Sequence, residues 1–386
     1  MGDVTRPLAV LLAAVFVVGC TAVPPSAVPT AQRPPTGRSA APSQPPTNAG
    51  SATTLIGRPT LAQLIGQKLV VRMEGRTPST DLLGRIRRGE VGGVILFGAN
   101  ITTKAALITL THTLRAAARA GGQPPLLIAV DQEGGSIKRI PWAPPTLSPP
   151  QMGSIGKTSV ARAQGSSTGT ALLGLGIDVD FAPVADVPSS TSSFMYKQGR
   201  TFSFNSTTTA ALSDAFASGL ASAGVLPSMK HFPGLGRATA NTDAYVVTIK
   251  ASAATLAPGL RPYRTAIGHD IPMIMLSNAT YTAYDSHNAA GWSHAISVDL
   301  LRGDLAFNGV TITDSLDGTA AARGLPTWQL AVRAARAGTD MILVTGSEAT
   351  TKTDYDKLLS LAKGGFIPRS TLVDSYDRIL ALKAGL

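Results

Sequence analysis

A single cysteine, Cys20, stands in the whole 386-residue chain, so no intramolecular disulfide can form. Histidine is almost as scarce. The five present (His112, His231, His269, His287 and His294) lie far apart, without the HExxH or Cys/His spacing that holds a metal ion. Metal chemistry is therefore not expected. Although the formal charge is +11, no run of Lys and Arg with interleaved aromatics occurs, which argues against nucleic acid as a partner. The basic balance favours contact with anionic polymers or lipid surfaces instead. The apolar run at the start, Leu8 to Val18, falls short of the about 20 residues that a membrane span needs.

That run is better read as the core of an export signal over residues 1–19, with Arg6 before it and Val17-Val18-Gly19-Cys20 after it. The position of Cys20 resembles the lipobox of bacterial lipoproteins, in which cleavage leaves the cysteine at the new N-terminus to carry lipid. The resemblance implies an exported protein, lipid-anchored through Cys20 to the outer face of the bacterial cell membrane. Residues 20–53 are mostly Pro, Ser, Thr and Ala. Such a segment cannot bury enough surface to fold, and its prolines keep it extended, as suits a tether. Residues 1–53 carry +2 (Arg6, Arg33 and Arg38 against Asp3), which leaves about +9 on residues 54–386.

Within 54–386, short apolar runs recur at Lys68–Met73, Gly93–Phe97, Leu126–Val130, Ile177–Val184, Val225–Met229, Met273–Leu276, Val310–Thr313 and Met341–Val344. Ala/Leu-rich stretches with helical spacing separate several of them, among them Ala105–Ala120, Thr208–Ala221 and Thr327–Ala337. Fully apolar strands alternating with helices predict a parallel sheet. Eight such units predict an α/β fold, a (β/α)8 TIM-type barrel in a single catalytic domain, with a doubly wound sheet as the lesser alternative. Several runs end in polar residues: Asp131-Gln132-Glu133, Asp186, Lys230-His231, Ser277-Asn278 and Asp314. A barrel gathers its strand C-termini on one face, so residues 180 positions apart can meet in one pocket.

Lys230-His231, at the end of an apolar run and before Pro233-Gly234, is hard to explain by packing alone. Neighbours on a strand point to opposite faces, so one of the two should meet a crowded interior unless a ligand receives it. Asp314 directly follows the run Val310–Thr313. A strand-end aspartate can attack an electrophilic carbon and later leave as a carboxylate, which suits glycosyl transfer. The local sequence is equally consistent with a helix cap. Asp131, before Gly134-Gly135, can accept hydrogen bonds from sugar hydroxyls, and Arg139 and Arg200 can add donors.

The motifs IGQKLVVRMEG (65–75), GGVILFGANI (92–101), AVDQEGGSIKRI (129–140), DVDFAPVADV (178–187), GRTFSF (199–204), MKHFPGLG (229–236), MIMLSNATY (273–281) and GVTITDSL (309–316) follow one another in this order. Together they resemble the family 3 glycoside hydrolases, specifically the compact bacterial β-N-acetylglucosaminidases of cell-wall turnover. The resemblance implies a TIM-type barrel, no cofactor and a retaining double displacement on peptidoglycan-derived saccharides or muropeptides. It places Asp314 on the catalytic nucleophile, and Asp131, Arg139, Arg200, Lys230 and His231 on residues that hold the terminal sugar.

One departure matters. The typical loop reads KHFPGHG followed by Asp-Ser-His, whose Asp–His pair supplies the general acid/base. Here Leu235 replaces the first loop histidine, and Asn241-Thr242-Asp243 stands in place of Asp-Ser-His. Asp243 takes the histidine's position and is the expected acid/base, provided that burial or nearby Asp314 raises its pKa. Asn241 is expected to orient it by a hydrogen bond. Two alternatives stay open: a β-glucosidase-type activity on the same barrel, and a lipid-anchored muropeptide-binding protein with impaired catalysis.

Overall fold

The computed structural model describes residues 59–386. The export signal, Cys20 and the tether lie outside the described residues. Eight strands form one parallel sheet: β1 (Leu69–Arg72), β2 (Gly93–Leu96), β3 (Leu127–Val130), β4 (Val179–Asp180), β5 (Leu226–Phe232), β6 (Met273–Leu276), β7 (Val310–Thr313) and β8 (Ile342–Val344). Each pairs with its neighbour in sequence, and β1 pairs with β8 in the register Leu69↔Ile342. Between β7 and β8 an Ile312↔Met341 bridge closes the ring. All eight predicted runs are barrel strands, and the doubly wound alternative falls away.

The apolar runs are continuous because both strand faces are buried. Val70, Ile95, Leu127, Ala129, Val179, Met273, Met275, Val310, Ile312 and Leu343 pack together as the barrel interior. The alternate residues Leu69, Val71, Val94, Leu96, Ile128 and Val130 join the layer beneath the helices. The three predicted helices run Lys104–Ala120, Ser206–Ser222 and Thr327–Arg336. Thr103 and Asn205 cap the first two through their side chains, which satisfies backbone N–H groups of the opening turn.

Two strands differ from expectation. The run Ile177–Val184 pairs as a strand only at Val179–Asp180, with a single further bridge from Val184 to Lys230. Pro183 has no N–H to donate to a ladder. β5, in contrast, continues past Met229 to Phe232, so Lys230 and His231 lie inside the strand. Its register against β6 shifts between Lys230 and Phe232, and the Lys230–His231 peptide is cis.

Candidate active site

At the C-terminal end of the barrel lies a cavity of about 250 Å³, lined among others by Asp131, Glu133, Arg139, Arg200, Lys230, His231, Asp243 and Asp314. Every described residue given a catalytic or sugar-holding role from the sequence is thus in one place. The expectation that Lys230 and His231 face opposite sides is overturned: both are buried and both line the cavity. The strict two-residue alternation of an ideal strand fails here because the strand is irregular at this point, as its shifted register shows.

The charged end of the cavity is built from the hairpin after β3. Gln132–Gly134 pairs with Ile137–Lys138, and the Arg139 N–H donates to the Asp131 carbonyl at 3.3 Å, so the chain returns Arg139 to Asp131. Gln132 is fully buried, and its amide donates to the carbonyls of Ile140 (3.0 Å) and Pro144 (2.8 Å), which knits the loop. Asp131 and Glu133, two residues apart, share a side. Lys230 Nζ donates to Asp131 Oδ1 and sits against Glu133 Oε1, both at 2.7 Å. Arg200 grips Glu133 with two parallel bonds of 2.8 and 2.7 Å. Arg139 lies 3.7 Å from Asp131 and stacks over the Phe97 ring at 5.4 Å.

The charges in this cluster hold one another ionised. Burial opposes the Glu133 carboxylate, but Arg200 and then Lys230 outweigh it and bring it down to about 2. Burial likewise opposes the Lys230 ammonium, and Asp131 and Glu133 raise it above its ordinary value. Beneath them Asp180 accepts the Gln132 N–H at 2.9 Å, and burial pushes its carboxyl up to about 8. At neutral pH the Glu133 carboxylate therefore faces the Lys230 and Arg200 cations.

Because the Glu133 pKa is depressed on folding, its contribution to stability is full above the ordinary glutamate range. That contribution is lost as pH falls from there toward about 2. Glu133→Gln removes one partner of a buried network and should cost about 3–5 kcal/mol at neutral pH. The loss should shrink on acidification below pH 4, and urea melts at pH 7 and pH 3.5 check this.

His231 is held by Asp186. Its Nδ1 lies 2.7 Å from Asp186 Oδ2, while Asp186 Oδ1 accepts the backbone N–H of His231 (3.3 Å) and of Leu235 (2.5 Å). A carboxylate only accepts, so Nδ1 carries a proton and donates it to Asp186. Leu235, in the place of the missing loop histidine, is buried and shapes the wall.

Asp314 stands at the exit of β7, its N–H bonded to the Leu276 carbonyl at 2.9 Å. Its Oδ1 accepts the Ser315 N–H at 2.8 Å. Asn278 fixes the same turn by donating to the Ser315 carbonyl at 2.6 Å, and Ser315 Oγ meets Thr345 Oγ1 at 2.6 Å. Asp243 lies at the rim, on a loop whose backbone packs on Gly318. A Cβ there would come within 2.5 Å of the Asp243 carbonyl, so only glycine lets the loop lie so close. Although Asp243 is exposed as a whole residue, desolvation at the cavity mouth, with the Asp314 charge second, pushes its carboxyl up to about 7. Asn241 does not orient that carboxyl as expected. Its side-chain oxygen accepts the Asp243 backbone N–H at 3.0 Å, as an Asx-type turn.

Two participants carried no role in the sequence reading. Glu133 could have been found from its two-residue spacing to Asp131. Asp186 gave only its place after a strand, since nothing local names a partner 45 residues away.

A barrel with a small charged cavity at its strand C-termini, an aspartate turned into it and a second carboxyl raised to about 7 nearby is the equipment of an acid/base and nucleophilic hydrolase. Residues 60–382 match the glycosyl hydrolase family 3 N terminal domain. The chain is 33% identical over 332 residues to an uncharacterized secreted glycosyl hydrolase of Arthroderma benhamiae, covering 84% of this chain and 94% of that relative. It is 34% identical over 273 residues to a beta-hexosaminidase of Tolumonas auensis, covering 68% and 78% of the two chains. The solved structure of a glycoside hydrolase family 3 beta-N-acetylglucosaminidase from Paenibacillus sp. str. FPU-7 superposes with a TM-score of 0.81 at 29% identity. That match covers 84% of this chain and 62% of that one. The chain belongs to glycosyl hydrolase family 3.

Proposed function

We propose that the protein is an exo-acting retaining β-N-acetylglucosaminidase that removes terminal N-acetylglucosamine from peptidoglycan fragments. The observation that carries this reading is the pair of carboxyls in one cavity, Asp314 on a strand end and Asp243 raised to about 7 beside it. The cavity, at about 250 Å³, lies at the small end of ligand pockets, which suits one terminal sugar rather than a through-running chain. The names of the Tolumonas and Paenibacillus relatives support the amino sugar.

In this mechanism Asp131, Lys230, Arg139, Arg200 and His231 hold the sugar's hydroxyls. Asp314 attacks the anomeric carbon while Asp243 gives its proton to the departing glycosidic oxygen. A glycosyl–Asp314 ester forms, and water then attacks it with Asp243 acting as base, returning Asp314 as a carboxylate and the sugar with its original configuration. A panel of aryl glycosides tests the activity. Turnover of the N-acetylglucosaminide is expected. Preference for the glucoside would favour the β-glucosidase alternative, and no turnover of any would leave a muropeptide-binding protein.

The place of action is part of the same proposal. Export and lipid anchoring rest on Leu8 to Val18 and on Cys20, and the Arthroderma relative is described as secreted. Cys20→Ala should abolish lipidation and move the protein from the membrane fraction to the soluble one. An unchanged membrane fraction would assign retention to the basic barrel surface.

A further inference from the structure

Two recesses on the outer side of the catalytic rim share Pro258, one of about 290 Å³ and the other of about 670 Å³. Arg237 lines the first, and Arg261 and Arg264 line the second. The turn after β5 is the wall between the first recess and the catalytic cavity. Gly234 and Gly236 face the recess, whereas Leu235 between them faces the cavity.

The sign of this surface follows from the sequence. Apart from the turn at 233–237, every lining residue comes from 187–213 or from 244–269. Neither stretch contains an Asp or a Glu, and the turn has none either. Arg261 and Arg264 are exposed and three residues apart on the helix Ala253–Ile267, so their side chains rise from the same face. Among the described residues, none of the three arginines takes part in an ion pair. The catalytic cavity differs, because Arg200 and Lys230 already hold carboxylates there. Uncompensated guanidinium groups along a concave surface focus a positive potential that draws anions from solution.

The first recess also carries an aromatic surface. Phe204, 47% exposed, lines it and packs on Tyr196, 41% exposed, with ring centres 4.8 Å apart. An aromatic ring held by its neighbour offers apolar area to the apolar face of a sugar. The shape bears on the partner as well: a flat bilayer meets protruding residues, whereas a recess admits a chain.

We infer that the two recesses form one docking groove for an anionic glycan. Acidic groups of the chain pair with the forks of Arg237, Arg261 and Arg264, and a sugar repeat lies on Phe204. The groove runs behind Leu235, so a polymer held there stands beside the catalytic mouth without entering it. The inference goes beyond the proposed hydrolysis, and its test needs no turnover.

Calorimetry on the full chain with polygalacturonate, a linear acidic glycan, reads the binding. At about 150 mM salt, charges more than about 8 Å apart are largely screened, which suppresses diffuse attraction. The triple variant Arg237→Gln, Arg261→Gln, Arg264→Gln should bind about tenfold or more weakly, the sum of three exposed pairs. A control, Arg76→Gln, Arg119→Gln, Arg333→Gln, removes the same charge from exposed positions elsewhere. It should stay within about twofold of the parent, since those charges are screened from the groove. Phe204→Ala should weaken polygalacturonate by about threefold or more and leave linear polyphosphate, which has no sugar, unchanged. No binding by the parental protein, equal losses in the two triple variants, or none in the groove variant would overturn the groove. So would a groove variant that loses binding only to vesicles of phosphatidylglycerol and phosphatidylcholine, which would assign this face to a membrane. Equal effects of Phe204→Ala on both polymers would overturn the glycan as the partner.

Discussion

Asp314→Asn should bring turnover down by at least about 10³-fold, as removal of a covalent nucleophile does elsewhere, while the melting transition barely moves. The amide has nearly the shape of the carboxylate, and its oxygen can keep the 2.8 Å bond from the Ser315 N–H. Asn278 and Thr345 hold the turn from either side without touching the carboxylate. Stability should therefore change by less than about 1 kcal/mol. What the substitution removes is the nucleophilic charge. Steady-state rates on an aryl N-acetylglucosaminide, read with a thermal melt of the same sample, check both halves. Residual activity above a few per cent would take the nucleophile's role from Asp314.

Asp243→Ala should show a loss that depends on the leaving group. Sugar alkoxides need a proton as they depart, and general acid catalysis supplies typically 10²–10⁴-fold, so disaccharides should suffer on that scale. A nitrophenolate departs almost unaided, and its glycosylation step should suffer far less. Added azide ion should partly restore the variant, because an anion attacks the glycosyl-enzyme without a general base.

The pH profile has a definite sign. The acid acts in its protonated form, and its pKa is raised to about 7 by burial and by Asp314. In the parental protein kcat/KM on a poor leaving group should fall as pH rises through about 7, and Asp243→Ala should lose that limb. Equal losses on both substrate types, no azide rescue and an unchanged limb would remove Asp243 from the reaction.

The barrel was legible because its strands are buried on both faces. Val70 and Ile95 fill the interior while Leu69, Val71 and Val94 pack under helices, so each strand reads as an uninterrupted apolar run. The polar residues at the strand exits were legible for the complementary reason: Asp131, Lys230 and Asp314 end such runs with groups that a core would not accept unpaired. What stayed hidden was pairing across the barrel. Lys230 bridges Asp131 and Glu133 from about 100 residues away, and Asp186 holds His231 from the neighbouring strand's loop. Local geometry misled in two places. Alternation predicted one inward and one outward side chain at Lys230-His231, but both line the cavity. Asn241 looked like a partner for the Asp243 carboxyl, whereas it turns back to bond that residue's own N–H.

Covalent trapping tests the central claim most directly. Because the acetamido group occupies C2 of the sugar, the slow substrate should carry its fluorine at C5, with fluoride as the leaving group. Fluorine destabilises the oxocarbenium-like transition states of both steps, and the good leaving group lets the glycosyl-enzyme form faster than it hydrolyses. Intact mass should rise by one 5-fluoro-N-acetylglucosaminyl unit, and peptide mapping should put it on Asp314. A label on another residue, or turnover without any adduct and with inversion at the anomeric carbon, would contradict a double displacement through Asp314.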